Sequence, residues 1–196
     1  MIRENRQKKC PVLVGDGEVV PNTSLFRKYI EKTYGHDFDT GLPEAQCGVA
    51  WALGELCEDN IYWSMILERW LVEENSLAGP VVFFRPVPNP MPPIIVAAVR
   101  RQIHRDLWGQ CFGRHARWSI VQLGQQDLDA LSRVLRDKPY VLGDECTDID
   151  ATVFGTVASV LGETFDTPLL THAKNKANLV AYRNQCMESW CPVDDG

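Results

Sequence analysis

Seven cysteines and four histidines carry most of the reactive chemistry that this sequence can offer. The cysteines stand at positions 10, 47, 57, 111, 146, 186 and 191, and no two form a CxxC pair. An odd number of scattered thiols suits neither a disulfide framework nor a zinc site, and reads as reduced cysteines in a cytoplasmic protein. His36, His104, His115 and His172 have no ligand spacing, so no metal is expected. Cys10 precedes Pro11, a dipeptide that either enters a strand or turns the backbone through a cis bond. The sequence does not show a lowered pKa for the Cys10 thiol.

Three other groupings invite a chemical reading. Asn22 and Thr23 cap the start of a helix, where free N–H groups and the positive dipole end favour an anion. The run "FGRH" places Arg114 and His115 after a helix-ending Gly113, either as solvated neighbours or at the mouth of a cleft that Tyr62 helps to wall. The run "GDECTDIDATVFGTV" contains Thr147-x-x-Asp150, a capping box in which each residue satisfies a backbone donor of the other's turn. That box is structural. Ala151, Phe154, Val157 and Val160 follow it on one expected buried face.

Stepping outward, residues 12 to 20 read as a β-hairpin around Gly15-Asp16-Gly17, and a helix follows from 24 to Gly35. A long helix is expected from Pro43 to about Glu74. Its apolar stripe is Leu53, Leu56, Trp63, Leu67 and Trp70, with Asn60 as a core hydrogen bonder. Six prolines between Pro80 and Pro93 predict an extended connection. Helices are then expected from Pro93 to Gly109, Ala116 to Arg136, about 148 to 162, and Asn178 to Trp190.

The 196 residues are 45% hydrophobic with a net charge of −6, which excludes disorder and argues against a nucleic-acid binder. No apolar run approaches the roughly 20 residues of a membrane span, and the first residues read as neither a secretory nor a transit signal.

A hairpin and a helix leading into helices that open with a long one is the layout of glutathione-transferase-type proteins. The sequence resembles the failed-axon-connections and metaxin-like branch of that superfamily. The resemblance rests on "KCPVLVGDGEVVPNTS", "IYWSMILERW", "FGRH", "LGQQDLDALSRVLRDKPYVLGDECTDIDATVFG" and "NLVAY". It implies a mainly α (α+β) fold, with a partial thioredoxin-like segment over 1–36 and an all-helical domain over 37–196. It also implies that the first strand, first helix and catalytic residue of the family precede what is present here, so no catalytic residue is assigned.

By the same resemblance, the backbone at Cys10 and Pro11 would pair with the cysteinyl part of glutathione. Asn22 and Thr23 would hold its γ-glutamyl carboxylate, although Asn22 replaces the family's acid. Two functions stay open. One is an interaction protein with a degenerate glutathione site, binding a protein partner or a second copy through its incomplete sheet. The other is a glutathione transferase-like enzyme acting on apolar electrophiles, with glutathione as cofactor.

Overall fold

The computed structural model describes residues 12–15, 18–21, 23–38, 40–84, 86, 88 and 91–191. The chain divides into two compact units, Met1–Cys47 and Gly48–Gly196. In the first, β1 (Val12–Gly15) and β2 (Glu18–Pro21) form an antiparallel pair with Leu13 opposite Val20 and Val14 opposite Val19. Opposed side chains share a face of the ribbon, so the Leu13–Val20 and Val14–Val19 pairs lie on opposite sides. Val14 is exposed, which leaves Leu13 and Val20 as the more sheltered pair.

Helix α1 (Thr23–Tyr34) follows, and Gly35 stops it at φ +66°, with its N–H donating to the Glu31 carbonyl at 2.9 Å. Gly15 meets α1 closely: a Cβ there would stand 2.5 Å from the Tyr29 hydroxyl. The expected hairpin and first helix are therefore present.

The second unit is helical. The long helix begins as α2 (Glu44–Glu55), passes through one π turn (Leu56–Ile61), and continues as α3 (Tyr62–Trp70). It stops there, four residues short of the expected end, because Val72 turns extended at φ −80°, ψ 126° before α4 (Glu73–Ala78). The π turn also changes which side chains lie innermost. Leu53, Trp63 and Leu67 of the expected stripe are buried, while Leu56, Asn60 and Trp70 are only half-buried. Cys57, Ile61, Ser64 and Glu68 are buried more deeply than any of them.

The proline-rich segment is less extended than expected. Pro80 opens a one-turn helix α5 (Pro80–Phe83), and Pro92 and Pro93 sit in the first turn of α6 (Met91–Gly109). Proline lacks the N–H that an N-terminal turn leaves unused, so it is compatible with both positions. A 3-10 turn (Phe112–Arg114) leads into α7 (Arg117–Leu135), whose Leu128, Leu131 and Leu135 are buried. Then come α8 (Asp148–Val160), α9 (Pro168–Lys174) and α10 (Ala177–Trp190). Helix α9 was not expected, although Thr167 caps it by accepting the Leu170 N–H at 3.0 Å and Pro168 fills its first position.

Trp63, Leu67, Leu107 and Ile120 bring α3, α6 and α7 into one apolar cluster, with Leu71, Ile103 and Phe112 against it. Helices α3 and α7 approach most closely at Gly124. A Cβ there would lie 2.9 Å from both Cβ and Oγ of Ser64.

Candidate functional site

Of the residues expected to hold glutathione, Cys10, Pro11 and Asn22 lie outside the described residues, and Thr23 is the first residue of α1. The remaining candidates fall in the helical unit. Tyr62 begins α3 directly after the π turn, partly exposed, with its ring edge-on to Trp63 at 5.1 Å between centroids. Burial, and then the nearby Asp106 carboxylate, push its hydroxyl pKa upward. Arg114 belongs to the 3-10 turn, and its guanidinium lies over the Trp108 ring, 5.6 Å from the centroid. His115 ends that turn, exposed, its N–H donating to the Phe112 carbonyl at 3.0 Å.

Gly113 makes this arrangement possible. A Cβ at that position would stand 2.9 Å from the Trp108 backbone nitrogen, so only glycine lets the turn lie against the end of α6. Arg114 is thus held beside Trp108.

The Thr147–Asp150 box is formed at the start of α8. Asp150 Oδ2 accepts from both the N–H and the hydroxyl of Thr147, at 2.9 Å each. Its Oδ1 accepts the Val141 N–H at 2.9 Å and the Tyr182 hydroxyl at 3.0 Å. One fully buried carboxylate therefore joins the 141 loop, α8 and α10. The helix it starts buries Ile149, Val153, Val157 and Val160, one step round from the expected Ala151–Phe154 line. Ala151 is exposed, and Phe154 packs edge-on to Trp190.

Sequence reasoning missed a second buried carboxylate. Glu68 is fully buried and receives two parallel bonds from Arg117, Nε to Oε1 at 2.7 Å and Nη2 to Oε2 at 2.8 Å. Beside it, Arg69 lies over the Phe165 ring at 4.8 Å and donates to the Ser159 carbonyl. A cavity lined by Met65, Glu68, Arg69, Phe165 and Thr167 has space for no more than a water molecule. These groups fasten α3 to α7 and to the α8–α9 connection.

Burial pushes Cys57 and Cys186 up to about 11, and raises Cys146 and Tyr182 as well. Among the described residues Cys57, Cys111, Cys146, Cys186 and Cys191 form no disulfide. Among the described residues no group of three or more His, Cys, Asp or Glu could hold a metal ion, and no helix is long and apolar enough to cross a membrane.

Comparison with known proteins agrees with this architecture. The family model for the glutathione S-transferase N-terminal domain matches residues 1–75, and that for the glutathione S-transferase C-terminal domain matches residues 124–186. The isoprene-epoxide–glutathione S-transferase of Rhodococcus sp. (strain AD45) is 29% identical over 177 residues, 89% of this chain and 74% of the relative. Failed axon connections of Drosophila melanogaster is 24% identical over 202 residues, 95% of this chain and 48% of that protein. Metaxin-2 of Homo sapiens is 25% identical over 178 residues, covering 89% of this chain and 66% of metaxin-2. No solved structure matches at a significant level. With a two-stranded hairpin and helix ahead of a helical unit, and both domain models matched in that order, the chain belongs to the glutathione S-transferase superfamily, with failed axon connections and metaxin-2 among its relatives.

Proposed function

We propose that the chain is an interaction protein on a glutathione-transferase scaffold, with a degenerate glutathione site, acting in the cytoplasm. The observation that carries this reading is the match to both glutathione S-transferase domain models together with relatives named failed axon connections and metaxin-2. Asn22 in place of an acid removes a salt bridge to the ligand's α-amino group. We place the glutathione contacts, where any persist, at Cys10, Pro11, Asn22 and Thr23, and the division between a thioredoxin-like segment and the helical domain at residues 36 and 37.

The partner contact we assign to the small sheet. Among the described residues β1 and β2 pair only with each other, so each has an edge able to take another strand from a partner or a second copy.

A second reading has its own support. The Rhodococcus relative, named for isoprene epoxide and glutathione, favours an enzyme that conjugates apolar electrophiles. One experiment separates the two: calorimetric titration with glutathione, followed by conjugation of isoprene epoxide or another model electrophile. The interaction reading expects weak or absent binding and no turnover. Micromolar binding with measurable conjugation overturns it in favour of the enzyme.

A further inference from the structure

One face of α6 is left exposed by the described residues. Ile94, Arg101, Arg105 and Trp108 line that face at helical spacing, with Ala97 and Ala98 between them, and all are exposed. Ile94 is 57% and Trp108 is 53% exposed. The 3-10 turn adds Arg114 over Trp108, and Trp118 at the start of α7 is 67% exposed. Helix α5, which packs against α6, adds Phe83 at 77%.

The charge on this surface runs against that of the chain. Between residues 100 and 118 five arginines accompany one carboxylate, Asp106, in a protein of net charge −6. Two of the five are used internally: Arg100 pairs with Glu73 at 2.8 Å, and Arg117 with Glu68. The other three have no carboxylate among the described residues. Arg101 makes no ion pair, Arg105 donates to the neutral Gln102, and Arg114 rests on Trp108. Asp106 itself accepts from Gln102.

The choice of cation identifies the class of partner. No lysine occurs between residues 48 and 137. An anionic lipid surface attracts lysine and arginine alike. Carboxylates on a protein favour arginine, whose planar fork binds both oxygens at once, and Trp, Phe, Met and Arg are the residues enriched where proteins meet.

We propose that this face of α6, centred on Arg101, Arg105 and Trp108 with Arg114, docks a protein partner that presents Asp or Glu side chains beside an apolar one. The inference rests on the interaction reading and names its partner class.

The full chain is titrated with a labelled amphipathic helical peptide of Glu and Leu, its Gln-for-Glu counterpart, and phosphatidylserine vesicles. The Glu/Leu peptide should bind, weaken with salt, and bind R101Q/R105Q about tenfold less well. R101K/R105K should restore only part of that loss, with thermal melting showing both variants folded. The surface is disproved if the Glu/Leu peptide does not bind, or if the Gln peptide binds as well. It is equally disproved if R101Q/R105Q binds like the parent, or if vesicles bind in preference and R101K/R105K binds them undiminished. Conjugation activity measured on the same samples overturns the interaction reading instead, independently of the peptide result.

Discussion

Four donors converge on the Asp150 carboxylate, and among the described residues no cation is paired with it. An amide of the same shape would turn one oxygen into a donor facing donors. Asp150→Asn is therefore expected to cost about 3 kcal/mol, against about 1 kcal/mol for Thr147→Ala, in urea denaturation. Equal, small effects would mean that the convergence on Asp150 contributes little. Half of this node was legible in the sequence, because a spacing of three brings Thr147 and Asp150 together in one helical turn. Val141 and Tyr182 were not, since a loop and α10 deliver them. Two other aspartates on α7 should give opposite pH responses. Burial pushes Asp127 up to about 6, whereas the Lys176 ammonium and His172 ring, at 2.7 and 2.6 Å, hold Asp129 below its ordinary value. A raised carboxyl pKa lowers stability as pH rises from the unfolded value through the folded one. A depressed pKa gives stability above the unfolded value that is lost as pH falls through the folded one. Asp127→Asn should thus raise the melting temperature at pH 7.5 and not at pH 4. Asp129→Asn should lower it at pH 7.5, with a shrinking difference as the pH is taken below 4.

At the scale of elements, Gly124 decides how closely α7 can approach α3. In an open helix alanine is favoured over glycine by about 1 kcal/mol, but here the added methyl would meet Ser64 and Leu169 at 2.9 and 3.0 Å. Gly124→Ala is expected to lower stability, and a rise in melting temperature would show that the helices can separate without cost. The opposite sign is expected at Arg136, which ends α7 at φ +54°, ψ −126°, a region that favours glycine. Arg136→Gly should stabilise by about 1 kcal/mol in denaturant titration, because the end of α7 keeps its bonds from Asn178. Gly113, also read as ending a helix, lies within the 3-10 turn, whereas the helix ends marked by Gly35 and Gly109 were legible in the sequence. The inner line of α3 was not, for a specific reason. Ser64 and Glu68 lie on it, and their polarity hides it from any count of apolar spacing. Ser64 is satisfied by the Asn60 carbonyl one turn back and by the Ile120 carbonyl, and Glu68 by Arg117, the last two partners being far away in sequence. Thr167-Pro168 carried a usable start signal for α9, a capping residue followed by proline, within a segment too short to show periodicity.

For the whole molecule, the order of elements was the informative signal: a hairpin and helix followed by a long helix and a helical bundle. Element order survives changes in individual contacts, so the fold class was legible. A glutathione site depends on backbone placement, which spacing does not encode, and Cys10, Pro11 and Asn22 lie outside the described residues. The helical unit should also behave as one cooperative body. Arg117 supplies the only cation at the buried Glu68 among the described residues, so Arg117→Ala strands a carboxylate in the core. A loss of 3 kcal/mol or more is expected in global unfolding, roughly the effect of breaking a buried pair. Arg117→Lys should recover little of it, since one ammonium does not reproduce two parallel bonds. Hydrogen exchange should report the loss throughout α3, α7 and α8 together. A decrease confined to α3 would contradict that cooperativity.

The π turn between α2 and α3 means that the long helix holds one residue more than an α-helix of the same span requires. Chain length is therefore negotiable at this place and fixed elsewhere along the helix. Deleting the exposed Asp59 should let residues 56–61 close into regular α-helix, with both flanks still aimed as before. Deleting Ile66 instead would swing everything after it by about 100° and carry Glu68 away from Arg117. Circular dichroism melts should show a folded shortened protein in the first case and a collapsed transition in the second. Among relatives of differing length, a one-residue gap in this helix should then coincide with the turn.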